Sequence, residues 1–449
     1  MMRLGEAAAA LGARTSGGDA LFTGVSTDSR SIQEGDLFVA LRGERFDGHD
    51  FLVAAAAAKA GAAMIDRSYR GQYPLPALVV DDTRRSLGDL ARYWRARFTS
   101  ALIAVTGSNG KTTVKEMLAA ILRRHAGEEA VLATRGNLNN DIGLPLTLLG
   151  LRHAHRWCAI ELGMNHKGEI AYLAGIARPT VALVNNAQRE HLEFMRSVEE
   201  VAAENASVYD ALPEDGVAVI NADDAHAAVF HGRAGKRRAV EFGLGESSVT
   251  GSYRLGSLSS EIVLRTPAGE AGASLAIPGI HNVRNALAAA ACAFAVGIQV
   301  ATIAQGLSAF RPYTGRLQVK RAAGGATVID DSYNANPDSV RAAIDVLASC
   351  PAPTALVLGD MGEVGEHGAE FHREIGEYAR AKGLSQLLAI GEATRETVQA
   401  FGSGAGHFET LEELVSSVRA TTVLVKGSRF MKMERVVAAL IGAASQGGH

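Results

Sequence analysis

One stretch sets the architecture of this chain: Thr106-Gly107-Ser108-Asn109-Gly110-Lys111-Thr112-Thr113. The apolar run before it, residues 101–105, predicts a strand buried on both faces, and a helical pattern follows as far as about Arg124. Glycines let backbone N–H groups approach phosphate oxygens, and the N-terminus of a helix adds a partial positive charge. The order of strand, glycine loop and helix therefore predicts a phosphate-binding loop in an α/β domain.

The side chains of this loop suit a bound nucleotide. Lys111 can reach the β- and γ-phosphates, and the hydroxyl of Thr112 can hold Mg²⁺. The spacing reads G-x-x-G-K-T-T, because Val105 stands where the more common pattern has an outer glycine. The alternative is a glycine-rich turn with an unrelated lysine, and the strand, the helix and the paired hydroxyls weigh against it.

Composition excludes several other classes of protein. The chain has 449 residues, of which 47% are hydrophobic and 21% charged, and its formal net charge is −3. This length predicts about three domains, and the charge balance provides no basic surface for nucleic acid. The longest strongly apolar run, Ala286 to Val296, is too short to span a bilayer. Three scattered cysteines do not suit a disulfide framework, which predicts a reducing cytoplasm.

Strand and helix patterns divide the chain into three predicted α/β domains. Residues 1–98 predict a small N-terminal α/β domain, and residues 99–312 predict a central domain with a phosphate-loop sheet. Residues 313–449 predict a C-terminal, Rossmann-like α/β domain. Strands between about Val240 and Ile277 are expected to be antiparallel, and the turn residues Arg311 to Arg316 predict a domain boundary.

Two polar residues at strand ends are candidates for metal binding. Glu161 ends an apolar strand that is expected beside the phosphate loop, where a carboxylate would complete a Mg²⁺ site. Read alone, it is equally an ordinary strand terminus. His191 follows the strand 181–184. A lone loop histidine is more often structural than a ligand, but its position in a nucleotide domain favours a metal or phosphate role.

Two loops are unusually rich in amides and carboxylates. The first, residues 136–141, contains Asn137, Asn139 and Asn140, which can either contact a ligand or cap a helix. The second, residues 330–337, follows a strand and precedes a helix. Ligands of open α/β sheets bind at the carboxyl ends of strands, so this loop is a further candidate, although one of its polar residues is expected to act only as a helix cap.

Taken in order, these segments resemble the Mur ligase family of ATP-dependent amide-bond synthetases over nearly the full chain. The resemblance rests on residues 106–113, Glu161, residues 186–193, residues 279–286, Arg316, Asp331 and residues 426–428. Within the family it is most similar to members that join D-alanyl-D-alanine to UDP-N-acetylmuramoyl-tripeptide, through residues 26–30, 43–51, 136–149, 330–339 and 358–363. The Asp-Asn-Pro-Arg segment of the diaminopimelate-adding members is absent.

The resemblance implies a ligase that uses ATP and Mg²⁺ and forms an acyl-phosphate intermediate in peptidoglycan precursor synthesis. It implies catalytic roles for Lys111, Glu161, His191 and Arg316, and metal binding by Thr112, Glu161 and His191. It implies nucleotide binding by Gly107, Ser108, Asn109, Gly110, Lys111, Thr112, Thr113, Asn282, Asn285, Arg316 and Asp331. It implies substrate binding by Ser26, Asp28, Ser29, Arg30, Asn137, Asn139, Asn140, Asn334 and Asn336. It further implies a cytoplasmic monomer without nucleic-acid partners or membrane insertion.

The sequence departs from the family at Asn205. Many members carry a lysine there, carbamylated by CO₂, that helps to hold a second metal ion. An amide cannot be carbamylated and is a weaker, neutral Mg²⁺ ligand, so Asn205 itself, Glu204 or water is left to fill that role. This departure predicts an activity that does not depend on bicarbonate.

Two alternatives to this function remain. One is a different ligase of the same family, acting on a folate or on recycled muramyl peptide, against which residues 28–30 and 360–363 weigh. The other is a nucleotide switch or a regulatory ATP-binding module. A GTP switch would need a guanine-binding Asn-Lys-x-Asp segment, which the sequence lacks. A pure binding module would not need the polar strand ends of the third domain.

Overall fold

Three α/β units follow one another along the chain, which confirms the predicted fold class. The computed structural model describes residues 1–44, 46–322 and 324–442, so the end of the third predicted domain lies outside it. Within these ranges no helix has both the length and the apolar composition needed to cross a membrane. Short 3-10 helices occupy Gly48–Phe51, Glu128–Ala130, Ser207–Ala211, Gly365–His367 and Arg429–Met431.

The N-terminal unit is a mixed sheet with helices packed beside it. Its strands are β1 (Met2–Arg3), β2 (Arg14–Ser16), β3 (Leu21–Phe22), β4 (Gly24–Ser26), β5 (Asp36–Val39), β6 (Ala62–Asp66) and β7 (Ala77–Val80). Its helices are α1 (Leu4–Leu11), α2 (Leu52–Ala57) and α3 (Thr83–Arg95). The main sheet has the order β2-β7-β6-β5-β4, and β1 pairs separately with β3. Asp82 caps α3 by accepting hydrogen bonds from two backbone N–H groups of its first turn.

The central unit contains the phosphate-loop strand in the middle of a parallel sheet. Its strands are β8 (Ala101–Thr106), β9 (Val131–Ala133), β10 (Trp157–Glu161), β11 (Val181–Val184), β12 (Val217–Asn221) and β13 (Arg238–Phe242). The order is β13-β12-β11-β8-β10-β9 and every pairing is parallel. The strand order changes direction at β8, and open α/β sheets bind ligands at such a point.

The helices of the central unit pack around this sheet and against one another. They are α4 (Lys111–Ala126), α5 (Gly143–Leu149), α6 (Glu169–Ala177), α7 (Val198–Ala206), α8 (Ala227–Ala234), α9 (Ile280–Ala295) and α10 (Val300–Ala309). In α4 the residues Val114, Met117, Leu118, Ile121 and Leu122 are fully buried, at the spacing of one helix face. This burial holds the first turn of α4, and therefore the phosphate loop, in a fixed position.

The predicted antiparallel region is only partly correct. Strands β14 (Thr250–Leu255), β15 (Ser260–Thr266) and β16 (Gly269–Leu275) form an antiparallel sheet as expected. The preceding strand β13 instead pairs in parallel with β12 at the edge of the main sheet. Val240 and Phe242 are buried there, and this short alternating pattern did not distinguish a parallel edge strand from an antiparallel one.

The C-terminal unit is a second open sheet, as the sequence predicts. Its strands are β17 (Gln318–Arg321), β18 (Thr327–Asp331), β19 (Thr354–Gly359), β20 (Gln386–Ile390), β21 (Ala405–Phe408) and β22 (Thr422–Lys426). Its helices are α11 (Pro337–Ala348), α12 (Gly368–Ala381), α13 (Thr394–Phe401), α14 (Leu411–Ser416) and α15 (Glu434–Ile441). The order is β17-β18-β22-β19-β20-β21, with only the edge strand β17 antiparallel to its neighbour in the described part of the chain.

The close approach of α10 to α4 depends on a glycine. A Cβ added at Gly306 would lie 2.4 Å from the Cα of Ile121, so Gly306→Ala must push the two helices apart. We expect a loss of about 1–3 kcal/mol of stability, read as a lower midpoint in thermal unfolding followed by circular dichroism.

Gly175 in α6 is the matched control, because a Cβ added there meets no heavy atom of the described residues within 4 Å beyond its chain neighbours and its own helix backbone. Gly175→Ala should stabilise by about 0.5–1 kcal/mol through helix propensity alone. Equal midpoints for the two variants would contradict the proposed role of the α4–α10 contact.

Candidate active site

Two adjoining cavities lie where the strand ends of the central and C-terminal sheets face each other. The larger has a volume of about 910 Å³ and is lined by the loops that follow β8, β9, β10, β11, β18, β19 and β22. The smaller has about 390 Å³ and is lined mainly by the start of α9 and the loops after β8, β11 and β12. Both volumes suit a small-molecule site.

The phosphate loop is pressed against the neighbouring strand end, which explains its glycines. Gly107 and Gly110 have φ values of 126° and 83°, in the left-handed region that favours glycine. A Cβ at Gly110 would lie 2.3 Å from Oδ1 of Asn285. The side-chain amide of Asn185 donates to the carbonyl of Asn109 at 2.7 Å and to that Oδ1 at 3.0 Å. The loop is therefore fixed before any phosphate arrives.

Lys111 lies at the start of α4, where backbone N–H groups face the cavity. In the described residues no side chain caps this helix, so its first donors are free to bind an anion. The ammonium of Lys111 donates to the carbonyls of Gly107 at 2.6 Å and Ser108 at 3.0 Å. Its third contact is Oε1 of Glu190 at 2.9 Å. Lys111 is thus held beside the loop, where its ammonium would help the loop to bind phosphate.

Glu161 ends β10 directly beside the phosphate-loop strand, because it pairs in register with Val105. Asn139 donates its amide to Oε1 of Glu161 at 2.7 Å, and the backbone N–H of Glu161 donates to the Thr134 hydroxyl at 2.9 Å. The other carboxylate oxygen, Oε2, is buried and has no hydrogen-bond partner among the described residues. A buried carboxylate oxygen that lines a cavity without a partner suits a bound cation.

His191 lies between two carboxylates. Its Nε2 is 3.3 Å from Oε1 of Glu190, and its Nδ1 is 2.5 Å from Oε2 of Glu363 in the C-terminal unit. Burial alone would lower the pKa of His191, but these two carboxylates raise it to about 9. Burial would likewise raise the pKa of Glu190, whereas Lys111 and His191 hold that pKa below its usual range. In this arrangement His191 is an ion-pair partner, and metal binding would require loss of its proton.

The side chains present fit a divalent cation whose coordination is completed by phosphate oxygens. No three or more His, Cys, Asp or Glu side chains converge on one point in residues 1–44, 46–322 and 324–442. Mg²⁺ is commonly held by one or two carboxylates together with phosphates and waters, so such a cluster is not required. Thr112 and Glu161 both line the larger cavity and are the residues that would hold the ion.

The smaller cavity contains two of the predicted nucleotide-binding residues, Asn282 and Asn285, and a hydrogen bond joins their side-chain amides. Asn285 donates to Oδ1 of Asn282 at 3.0 Å, and Asn282 donates to the carbonyl of Pro278 at 2.7 Å. Arg316 and Asp331 line both cavities. Asp331 pairs with Lys426 at 2.6 Å, and although burial raises the pKa of Asp331, Lys426 opposes that rise.

Two predicted substrate residues lie where the central and C-terminal units meet. Asn336 caps α11 by accepting from the N–H of Ser339, as expected of one residue in this loop. Its amide also donates to Oδ1 of Asn109 at 2.9 Å, which joins the phosphate loop to the third unit. The carbonyl of Asn334 accepts from Lys426 at 2.9 Å.

The structure gathers most of the predicted residues but not those of the N-terminal unit. The larger cavity is lined by the predicted residues Ser108, Asn109, Gly110, Lys111, Thr112, Asn137, Asn139, Asn140, Glu161, His191, Arg316, Asp331, Asn334 and Asn336, and the smaller by Thr113, Asn282 and Asn285. Ser26, Asp28, Ser29 and Arg30 lie outside both cavities, where Arg30 folds back onto Asp28 at 2.8 Å. Asn139 orients Glu161, and Asn140 accepts from the N–H of Gly143 at the start of α5.

The side chains of Asn205 and Glu204 are both bonded to other parts of the central unit. Oδ1 of Asn205 accepts from the Thr106 hydroxyl at 2.6 Å, and its amide donates to the carbonyl of Val201 at 3.0 Å. The carboxylate of Glu204 accepts from the N–H groups of Gly168 and Ile170 at the start of α6, each at 2.9 Å. Neither side chain lines a cavity, so neither takes the role of a metal ligand in this arrangement.

Sequence reasoning missed the residues that join the central and C-terminal units. Arg189 donates to Asp338 of α11 through its backbone N–H at 2.9 Å and through its guanidinium at 2.6 Å. The same guanidinium binds Glu374 of α12 at 2.7 Å. The only sequence signal was the pair of charged residues immediately before His191. The partners of Arg189 lie 149 and 185 positions away along the chain, and no local pattern reveals such contacts.

Three protein-family models match successive parts of this chain. Residues 21–95 match "Mur ligase family, catalytic domain", residues 105–293 match "Mur ligase middle domain", and residues 315–429 match "Mur ligase, glutamate ligase domain". The UDP-N-acetylmuramoyl-tripeptide–D-alanyl-D-alanine ligase of Escherichia coli (strain K12) is 41% identical over 434 residues, which cover 94% of this chain and 95% of that protein.

Two solved structures share the fold. A crystal structure of MurF from Acinetobacter baumannii superposes with a TM-score of 0.91 at 34% identity, covering 98% of this chain and 99% of that one. MurF from Thermotoga maritima, solved in complex with ADP, gives a TM-score of 0.82 at 26% identity, covering 94% of this chain and 98% of that one.

The Arg189 contacts predict a measurable effect on how the central and C-terminal units pack. Arg189→Gln removes charge-assisted hydrogen bonds to two carboxylates, which we expect to cost about 1–3 kcal/mol at this contact. The variant should populate a more open arrangement, read as a larger radius of gyration in small-angle X-ray scattering.

Arg395→Gln is the matched control, because Arg395 also binds two carboxylates, those of Glu392 and Glu409, but within the C-terminal unit. Its scattering should match that of the unaltered chain. A radius of gyration in Arg189→Gln that equals the control value would refute the role of Arg189 between the units.

Proposed function

The chain belongs to the Mur ligase family, and from that premise we propose how its two cavities carry out the reaction. The enzyme is an ATP-dependent ligase that adds D-alanyl-D-alanine to UDP-N-acetylmuramoyl-tripeptide in peptidoglycan precursor synthesis, as its similarity to the Escherichia coli ligase over 94% of the chain indicates. One observation carries the mechanism. The phosphate loop opens into a cavity whose other wall is formed by the strand ends of the C-terminal sheet.

ATP would lie across both cavities, with its phosphates on the loop. The free N–H groups at the start of α4 and the ammonium of Lys111 would hold the phosphates. The base would enter the smaller cavity beside Asn282 and Asn285, and Arg316 with Asp331 would contact the phosphates and ribose from the C-terminal side. This assignment is supported by the positions of Arg316 and Asp331, which line both cavities.

The reaction would proceed in two steps. The terminal carboxylate of the tripeptide attacks the γ-phosphorus of ATP, which forms an acyl phosphate and releases ADP. The amine of D-alanyl-D-alanine then attacks the acyl carbon through a tetrahedral intermediate, which forms the amide bond and releases phosphate. Mg²⁺, held by Thr112 and Glu161, would screen the repulsion between the carboxylate and the triphosphate. Asn139 would hold the Glu161 carboxylate in position throughout.

Exclusion of water is the main task of the surrounding residues, because an acyl phosphate hydrolyses readily. The contacts Asn109–Asn336, His191–Glu363 and Arg189–Asp338 each join a loop of the central unit to the C-terminal unit. They support a closed reaction chamber whose opening and closing would use a hinge near Arg311 to Gly315. His191 would contact the phosphates in its protonated form, or a metal ion after losing its proton.

The three units would share the binding of nucleotide and substrates. We assign residues 1–98 to UDP-muramoyl substrate binding, residues 99–312 to ATP binding, and residues 313–449 to both nucleotide and D-alanyl-D-alanine binding. Ser26, Asp28, Ser29 and Arg30 would contact the distant UDP end of the substrate, which accounts for their position outside the cavities. The enzyme would act as a cytoplasmic monomer without nucleic-acid or membrane partners.

Phosphate release tests the function directly. The purified chain is supplied with Mg²⁺-ATP and UDP-N-acetylmuramoyl-tripeptide, with and without D-alanyl-D-alanine, and the product masses are measured. We expect phosphate release that requires both substrates and a mass that corresponds to the UDP-muramoyl-pentapeptide. Nucleotide turnover without a ligated product would instead favour a regulatory ATP-binding module, and ligation of a folate would favour another member of the family.

The buried position of Asn205 predicts that carbon dioxide does not influence the rate. Asn205 carries an amide in place of an amine, so nothing at this position can be carbamylated, and the amide is held by Thr106 and Val201. The rate of pentapeptide formation in CO₂-depleted buffer should equal that after bicarbonate is added. Rescue of a depleted enzyme by bicarbonate would show the prediction to be wrong.

A further inference from the structure

Glu190 is a buried carboxylate in the larger cavity that the mechanism above does not use. Its side chain is 11% exposed, and its Oε2 has no hydrogen-bond partner among the described residues. Its Oε1 is 2.9 Å from the ammonium of Lys111 and 3.3 Å from Nε2 of His191. A carboxylate in such a place is stable only while cations surround it.

The contacts of Lys111 show that Glu190 and phosphate compete for the same ammonium group. An ammonium has three N–H donors, and those of Lys111 are used by Gly107, Ser108 and Glu190. To bind phosphate, Lys111 must release at least one of these partners. If it releases Glu190, a buried carboxylate is left beside a triphosphate, and the two anions repel each other.

The order of the strands places Glu190 and Glu161 on opposite sides of the phosphate loop. Glu161 ends β10 and Glu190 follows β11, and these strands flank β8 on its two sides. Both carboxylates line the larger cavity, and each has one oxygen without a partner in the described part of the chain. An anion bound to the loop would therefore have, on each side, a carboxylate with one oxygen that lacks a hydrogen-bond partner.

We propose that Glu190 is a ligand of a divalent cation that binds together with the nucleotide phosphates, on the side of the loop opposite Glu161. The cation would replace the charge that Lys111 withdraws from Glu190 when it turns toward the phosphates. One carboxylate with phosphate oxygens and waters is an ordinary Mg²⁺ environment, so the ion would bind only in the presence of nucleotide. This inference rests on the proposed binding of ATP at the loop.

The competing explanation is that Glu190 only holds Lys111 in place until phosphate arrives. The two explanations predict effects of Glu190→Gln on different quantities. If Glu190 is a cation ligand, removing its charge should weaken metal binding. If Glu190 only competes for Lys111, removing its charge should tighten the binding of nucleotide in the absence of metal. Metal binding and metal-free nucleotide binding are therefore both measured.

The test titrates Mn²⁺ into the full chain with β,γ-methylene-ATP, a nucleotide that keeps three phosphates but is not cleaved. Free Mn²⁺ is followed by electron paramagnetic resonance, which gives the number and affinity of bound ions independently of activity. In Glu190→Gln we expect one Mn²⁺ to bind at least about tenfold more weakly. Glu190→Asp keeps the carboxylate and should lose less affinity, and Glu161→Gln should weaken an ion that Glu190→Gln leaves intact.

Glu214→Gln is the control for charge, because Glu214 is exposed on the loop before β12 and lines neither cavity. It should bind Mn²⁺ as the unaltered chain does, and circular dichroism establishes that each variant is folded. Mn²⁺ affinities in Glu190→Gln that equal the control would overturn the inference, as would tighter metal-free nucleotide binding with unchanged Mn²⁺ binding. Absence of analogue binding by the unaltered chain would contradict the proposed function as well, so the two failures are distinguishable.

Discussion

The whole site depends on the close contact between the phosphate loop and the strand end beside it. Gly110 is so near Asn285 that no side chain fits between them, and Asn185 ties the loop to both the strand end and α9. This contact aims the first N–H groups of α4 into the cavity, where their partial positive charge attracts phosphate. The buried apolar face of α4 keeps the helix from moving away, so hydrophobic packing indirectly fixes the position of the anion-binding groups.

The central unit supplies only one wall of the site, and the C-terminal unit supplies the other. Arg316 lies just before β17, and Asp331 and Lys426 end β18 and β22, yet all three line the same cavities as the loop. Asn336 illustrates how one residue serves both units, since it caps α11 and also binds Asn109. Because the charged groups of the cavities are divided between two sheets, the contacts that would shut out water are the same contacts that assemble the charged site.

The sequence predicted the buried strands β8, β10 and β11 and the phosphate loop, because these are continuous local patterns. It missed the buried parallel strand β6, whose first residues continue an alanine-rich helical pattern. It did not predict β17 or β21. These are edge strands in which buried and exposed side chains do not alternate clearly enough to give a recognisable strand pattern. Arg189 and Glu363 were missed for a different reason. Their partners are far away in the chain, and only the packing of one sheet against another brings them together. The placement of Glu161 could be predicted, but the amide of Asn139 that orients it could not be told from a ligand-binding amide.

The position of Asn205 shows how a residue near the site can be part of the scaffold rather than of the chemistry. Its oxygen accepts the hydroxyl of Thr106, the last residue of β8, so it fixes the strand end from which the phosphate loop begins. A neutral, buried amide cannot balance the charge of a cation. The negative charge that a metal ion would need must come from side chains that line the cavity. Glu161 and Glu190 line it on opposite sides of the loop, and each has one oxygen without a partner among the described residues.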